Sequence, residues 1–153
     1  MVNKISIKTE FGWISAFESE GKIFRVKFGK VNKHSASKVL KKFKKNLYDF
    51  LNKKKRYIKV PYKIDGNINQ KKVWNELKKI KLGTTKTYGE IAKKYHLSPR
   101  HVGKICGQNK ILLGIPCHRV IRSDGSLGGF SSRGGIKLKK KLLIFERDWK
   151  LRI

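Results

Sequence analysis

The sequence predicts an α+β protein in two parts: a small N-terminal β-sheet plus helix domain, then a mostly helical domain containing a helix-turn-helix. Three observations carry this. Up to Phe28, apolar and polar residues alternate in short runs broken by Gly12 and Gly21; from Ser35, apolar residues recur every three or four positions; and after Asp65-Gly66-Asn67 further helical stripes follow, separated by cap and turn residues. The turn chemistry of that tripeptide sets the boundary, giving an N-terminal α/β domain over 1–66 and a C-terminal domain over 67–153.

Taken in order, Ile5 and Ile7, then Trp13, Ile14, Ala16 and Phe17, then Ile23, Phe24, Val26 and Phe28 form three β-type runs, a meander with a hairpin near Gly21. Val39, Leu40, Phe43, Leu47, Phe50 and Leu51 mark an amphipathic helix with a lysine-covered outer face, capped by Ser35 or Ser37 and ending over 52–55. Tyr57–Tyr62 reads as a further strand. Asn69 is a candidate cap for a helix carrying Val73, Trp74, Leu77 and Ile80, which stops near Gly83. Thr87–Tyr95 makes a short helix, and Ser98 with Pro99 opens another that runs to about Gly107. There Val102 and Ile105 or Cys106 face inward, and Arg100, His101 and Lys104 outward. The pattern of this pair fits both a helix-turn-helix and an ordinary αα-hairpin.

The 153 residues contain 39 Lys plus Arg against 10 Asp plus Glu, a net charge of +29 that favours polyanionic partners or acidic membrane surfaces. The excess is spread evenly: 18 basic and 4 acidic residues lie up to Ile64, and 21 and 6 beyond it. Most are Lys, whereas specific phosphate and base contacts favour the rigid fork of Arg. A lysine-rich background therefore explains much of the charge, which alone names no function. Two Cys without a Cys-x-x-Cys spacing predict reduced thiols and a cytoplasmic location, nucleoid-associated in a prokaryote. No run of about 18 apolar residues and no signal-peptide pattern occurs, so no membrane partner is predicted.

The segment richest in chemistry is Gly114-Ile115-Pro116-Cys117-His118-Arg119-Val120-Ile121-Arg122, followed by Ser123-Asp124-Gly125-Ser126-Leu127-Gly128-Gly129-Phe130. Basic neighbours such as His118 and Arg119 favour a thiolate at Cys117. In an extended chain, however, Cys117 and His118 would point to opposite faces, so a bend or a bridging water is needed for them to cooperate. Ile115-Pro116 would help to hold such a bend. Taken alone, a Cys beside a His is more often structural than catalytic.

The surroundings change that weight. Pro116-Cys117-His118-Arg119-Val120, Thr87-Tyr88-Gly89, Arg100-His101-Val102-Gly103, Asn109 and Gly128-Gly129-Phe130 closely resemble the 6-O-methylguanine-DNA methyltransferase family, the O6-alkylguanine-DNA alkyltransferases. The likeness runs from about Asn69 to Glu146. It implies a winged-helix-like C-terminal domain that binds DNA and accepts the alkyl group. It also implies a suicide repair reaction on double-stranded DNA containing alkylated guanine: the Cys117 thiolate takes the alkyl group from guanine's 6-oxygen, once, without a cofactor. In this family pattern His118 deprotonates Cys117 through a water, Glu146 orients His118 from the C-terminal helix, and Asn109 helps to hold the active-site turn. Arg100 enters the base stack when the damaged base is flipped out, and Tyr88 crowds the target phosphate and donates to the base. Ser131 and the main chain of Cys117 and Val120 contact the base. Gly103 admits close approach of the second helix to the minor groove, and Arg119 belongs to the DNA-facing group of basic residues. A monomer is the family expectation.

Lys104, Lys110, Phe130 and the 132–135 loop depart from the family pattern. Some relatives hold zinc in the N-terminal half; here that half contains no Cys and only His34, so no metal site is predicted. Cys106 reads as a small buried hydrophobe. Three rivals remain: a non-catalytic lesion sensor, which would carry another residue at position 117; a general helix-turn-helix protein with Cys117 merely packed; and a membrane-surface basic protein.

Overall fold

The computed structural model describes residues 1–32, 35–130 and 134–151. Contacts divide the chain into two units, Met1–Ile64 with Lys110–Gly114, and Asp65–Asn109 with Ile115–Ile153. The sequence places the division after Gly66 and assigns 110–114 to the second part. The structure assigns that segment to the first unit.

In the first unit β1 (Asn3–Thr9), β2 (Gly12–Ser19) and β3 (Lys22–Phe28) form an antiparallel meander. Period-2 alternation puts Ile5, Ile7, Ile14 and Ala16 into the core, and Ile23 joins Val26 and Phe28 there because an irregularity opposite Phe17 and Glu18 shifts the phase of β3 by one residue. Glu20 and Gly21 both have positive φ, as a two-residue turn matched to strand twist requires. Helix α1 (Lys38–Leu51) is capped by Ser37, whose hydroxyl accepts from the Leu40 amide, and it lays Leu40, Phe43, Leu47 and Phe50 on the sheet.

The strand predicted over Tyr57–Tyr62 reduces to a single bridge between Ile23 and Tyr62. Pro61 has no N–H to donate, and only its carbonyl accepts, from Ile23. Farther along β3, Val26 donates to the Lys110 carbonyl and accepts from the Leu112 amide. That pairing is why Lys110–Gly114 belongs with the sheet.

In the second unit α2 (Ile68–Lys78) is capped by Asn67, not Asn69: the Asn67 side chain accepts from Gln70 N at 2.8 Å, and Gln70 returns the bond at 2.9 Å. A Cβ on Gly66 would come within 2.6 Å of the Trp74 ring, so glycine is needed where the chain enters this helix. Trp74 donates from Nε1 to the Ile105 carbonyl, tying α2 to the helix that contains Ile105. Short β4 (Lys86–Thr87) leads into α3 (Tyr88–Tyr95), capped by Thr87 with Glu90 completing the box. His96 turns the chain in the left-handed conformation, and Ser98 and Pro99 start α4 (Pro99–Gly107). Helices α3 and α4 are the predicted helix-turn-helix pair. After a 3-10 turn at Cys117–Arg119, β5 (Val120–Ile121) pairs in parallel with β4, and α5 (Gly135–Leu151) closes the unit. Among the described residues no helix is long and apolar enough to cross a membrane, and no group of three or more His, Cys, Asp or Glu could hold a metal ion. His34 lies outside the described residues.

Candidate active site

The Pro-Cys-His-Arg segment is a turn rather than an extended strand. Cys117 N donates to the Ile115 carbonyl at 2.8 Å and Arg119 N to the Pro116 carbonyl at 3.0 Å, so Cys117–Arg119 forms one turn of 3-10 helix. Successive side chains on such a turn diverge by about 120° instead of alternating across a sheet. Three adjacent residues thereby reach three different environments.

Cys117 is 5% exposed and lines a cavity of about 700 Å³. His118 places Nε2 3.0 Å from Glu146 Oε2. Arg119 donates from Nε to Glu146 Oε1 at 2.8 Å, from Nη2 to Oε2 at 2.7 Å, and from Nη1 to the Ile80 carbonyl at 2.7 Å. Glu146 is supplied by α5, in a buried stripe with Leu142 and Trp149. Burial pushes its carboxyl upward, but the electrostatic pull and hydrogen bonds of His118 and Arg119 outweigh this and hold it down to about 2. A carboxylate accepts only, so the nitrogen facing it carries a proton and His118 keeps Nδ1 available.

Arg119 corrects the sequence reading. It was expected among the DNA-facing residues, yet it is buried and forms the fork-like pair that neutralises Glu146. Asn109, just beyond α4, donates from Nδ2 to the Ile115 carbonyl at 2.8 Å, and its side chain also hydrogen-bonds Cys117. Burial raises the Cys117 thiol above its ordinary value; the Asn109 bond and the charge of Lys139 oppose that rise.

The rest of the cavity wall includes Tyr88, Arg100, Gly103, Cys106, Gly128 and Phe130. Arg100 is exposed in the first turn of α4. Tyr88 is half-buried, and burial above all pushes its hydroxyl up to about 12, which keeps it a neutral donor. Gly128 has φ +72°, and a Cβ there would lie 3.0 Å from the Tyr88 hydroxyl. A Cβ on Gly103 would meet nothing closer than the Tyr88 ring at 3.9 Å, so packing within the protein does not require glycine there. Cys106 is 6% exposed, and burial pushes its thiol up to about 12. Ser131 lies outside the described residues, as do Ser132 and Arg133 of the divergent loop.

Lys139 was missed. It is fully buried on α5 and donates from Nζ to the carbonyls of Val120 at 2.6 Å, Leu127 at 2.5 Å and Gly129 at 3.2 Å, with the Tyr88 hydroxyl oxygen at 3.3 Å. Val120, whose main chain the family pattern assigns to the base, thus already spends one carbonyl lone pair. The available signal was spacing: Lys139 precedes Leu142 by three positions and Glu146 by seven, on the buried stripe. The run Lys139-Lys140-Lys141 concealed it.

Residues 69–148, more than half of the chain, match the family model described as 6-O-methylguanine DNA methyltransferase, DNA binding domain. A methylated-DNA–protein-cysteine methyltransferase of Metallosphaera sedula is 35% identical over 149 residues, covering 95% of this chain and 94% of that protein. The fold is similar to the crystal structure of Mycobacterium tuberculosis O6-methylguanine methyltransferase, with a TM-score of 0.85, 26% identity and coverage of 97% of this chain and 94% of that one. The structure of Mycobacterium tuberculosis OGT in complex with DNA gives the same TM-score and identity, over 95% and 93% of the two chains.

Proposed function

The chain belongs to the methylated-DNA–protein-cysteine methyltransferase family, and from that premise we propose that it repairs DNA by moving the alkyl group of O6-alkylguanine to Cys117 in a single turnover. The observation that carries this reading is the 3-10 turn, which sets one thiol at the cavity wall while its two neighbours engage a buried carboxylate.

His118, its Nε2–H given to Glu146, takes the thiol proton at Nδ1 through a bridging water. The thiolate sulfur attacks the alkyl carbon, a carbon–sulfur bond forms, and the carbon–oxygen bond breaks with its electrons passing to guanine O6. A proton returned to the base completes the exchange. A polarizable thiolate suits a saturated carbon, and the thioether does not hydrolyse readily, so the protein is consumed without a cofactor. Asn109 holds the turn, and Tyr88, kept neutral, donates to the everted base. The partner is double-stranded DNA with an alkylated guanine, met by a monomer in the cytoplasm or nucleoid. Gly103 on α4 leaves room for close approach of the DNA backbone, and Ser131 is the further base contact. The test is to incubate the protein with an oligonucleotide containing O6-methylguanine and weigh it intact. One added methyl group per chain is expected; an unchanged mass under binding conditions rejects the reading.

Eversion of the base costs about a few kcal/mol, and Arg100 fills the vacated space. Arg100→Ala should therefore slow repair of duplex DNA by about 10- to 100-fold, while changing transfer from free O6-methylguanine by no more than about threefold. Equal losses on the two substrates would remove Arg100 from that role.

A further inference from the structure

An ammonium without a counter-ion is costly to bury, so a buried lysine calls for a reason. Among the described residues Lys139 has no carboxylate partner: the oxygens within reach of its three N–H groups are three carbonyls and the Tyr88 hydroxyl. The two buried carboxylates of its unit are occupied elsewhere: Glu146 by His118 and Arg119, and Glu76 by Lys94 and Tyr95. The carbonyls it holds are not arbitrary. Val120 follows the Cys117 turn, and Leu127 and Gly129 flank Gly128, which abuts Tyr88 on the cavity wall.

The titratable and charged groups facing Lys139 are Tyr88 from α3, Cys106 from α4, Cys117 from the turn and Arg122 beyond β5. Arg122 opposes the ammonium, and among the described residues facing it only the two thiols can offer negative charge; Cys106, pushed up to about 12, stays neutral near pH 7, which leaves Cys117. Arg119 cannot supply the complementary charge to Cys117, because Glu146 cancels it.

We infer that Lys139 is a positioning residue for the transfer: its ammonium gathers the Val120, Leu127 and Gly129 carbonyls into the cavity wall and favours thiolate at Cys117. The inference rests on Cys117 being the alkyl acceptor. Burial holds the Lys139 ammonium down to about 8, so its charge is present at neutral pH and is lost as pH rises through that value. Cys117 reactivity should accordingly fall below a simple one-proton titration above about pH 8.

The test is the iodoacetamide labelling rate of Cys117, read by peptide mass spectrometry across about pH 6 to 10, with melting temperatures measured alongside. Lys139→Met keeps bulk without charge and is expected to slow labelling at neutral pH about tenfold, moving the midpoint up by about one unit. Lys139→Arg, which does not deprotonate, should stay within about threefold of the original protein and lose the high-pH deviation. An unchanged midpoint in folded Lys139→Met overturns the inference. So does a high-pH limb shared by the original protein and Lys139→Arg, and so does an original protein whose labelling climbs as one simple titration. Labelling needs no alkylated DNA, so the two failures are distinguishable: absent methyl transfer with a shifted Lys139→Met midpoint rejects the acceptor reading, and with it any role in transfer, whereas intact transfer with an unshifted midpoint rejects only the assignment of Lys139.

Discussion

Cys117→Ala is expected to lose alkyl transfer completely while binding DNA with unchanged affinity. The side chain removed is small and 5% exposed, so the truncation should cost folding only about 1 kcal/mol. DNA affinity comes from basic surface distributed over a chain of net charge +29, not from the thiol. Cys117→Ser should be almost as inactive, with transfer reduced by about a thousandfold or more, because a hydroxyl supplies almost no anion near neutral pH. The Asn109 hydrogen bond and the Lys139 charge lower a thiol that burial has raised, and they cannot offset the much higher pKa of an alcohol. Intact mass after incubation with O6-methylguanine DNA, beside a gel-shift titration, checks both variants. A methyl group retained by Cys117→Ala would point to Cys106, the chain's other cysteine, which lines the same cavity.

Cap residues were readable where their chemistry is local. Ser37, Thr87 and Ser98 each accept a backbone amide three residues on, a relation visible in one turn of sequence. Asn67 and Asn69 offer the same side chain two positions apart, and what separates them is Gln70, which can return a bond only to Asn67. The strand expected over Tyr57–Tyr62 had suitable residue types, but pairing depends on what lies beside it. Pro61 withholds a donor, and β3 also pairs with a segment almost fifty residues farther along the chain.

The site divides in the same way. Cys117, His118, Asn109 and Glu146 are brought together around one turn, and Glu146 is buried by two basic partners rather than solvated. Arg119 was misread because it lies among the basic residues of a segment expected to meet DNA, and nothing in the sequence marks the 3-10 turn that rotates it onto Glu146. Lys139 was overlooked because composition makes lysine unremarkable in this chain, and only helical phase distinguishes the buried one from its neighbours.

Glu146→Gln is expected to be the most destabilising single change at the site. The carboxylate accepts two hydrogen bonds from Arg119 and faces His118; the amide loses the charge and puts an N–H₂ where one oxygen accepts. Arg119 would then be a buried cation with no counter-charge, a loss of about 3–5 kcal/mol. For a chain of this size that lowers the melting temperature on the order of 10 °C. The pH dependence carries a second signature. In the folded protein the Glu146 carboxyl titrates at about 2, below its ordinary value of 4.5. Its contribution is therefore fully present above about pH 4.5 and is lost as pH falls toward 2. The original protein should shed stability across that window, and Glu146→Gln, which has no carboxyl to protonate, should show a correspondingly flatter profile. Transfer should slow as well, since His118 loses the negative charge that steadies the imidazolium it forms. Thermal melts from about pH 2 to 7 on both proteins measure the first two effects, and single-turnover methyl transfer at neutral pH measures the third. A variant that melts within about 2 °C of the original and keeps the same acid limb would mean that Arg119 finds its compensation elsewhere, and the charge balance drawn around Cys117 would have to be redrawn with it.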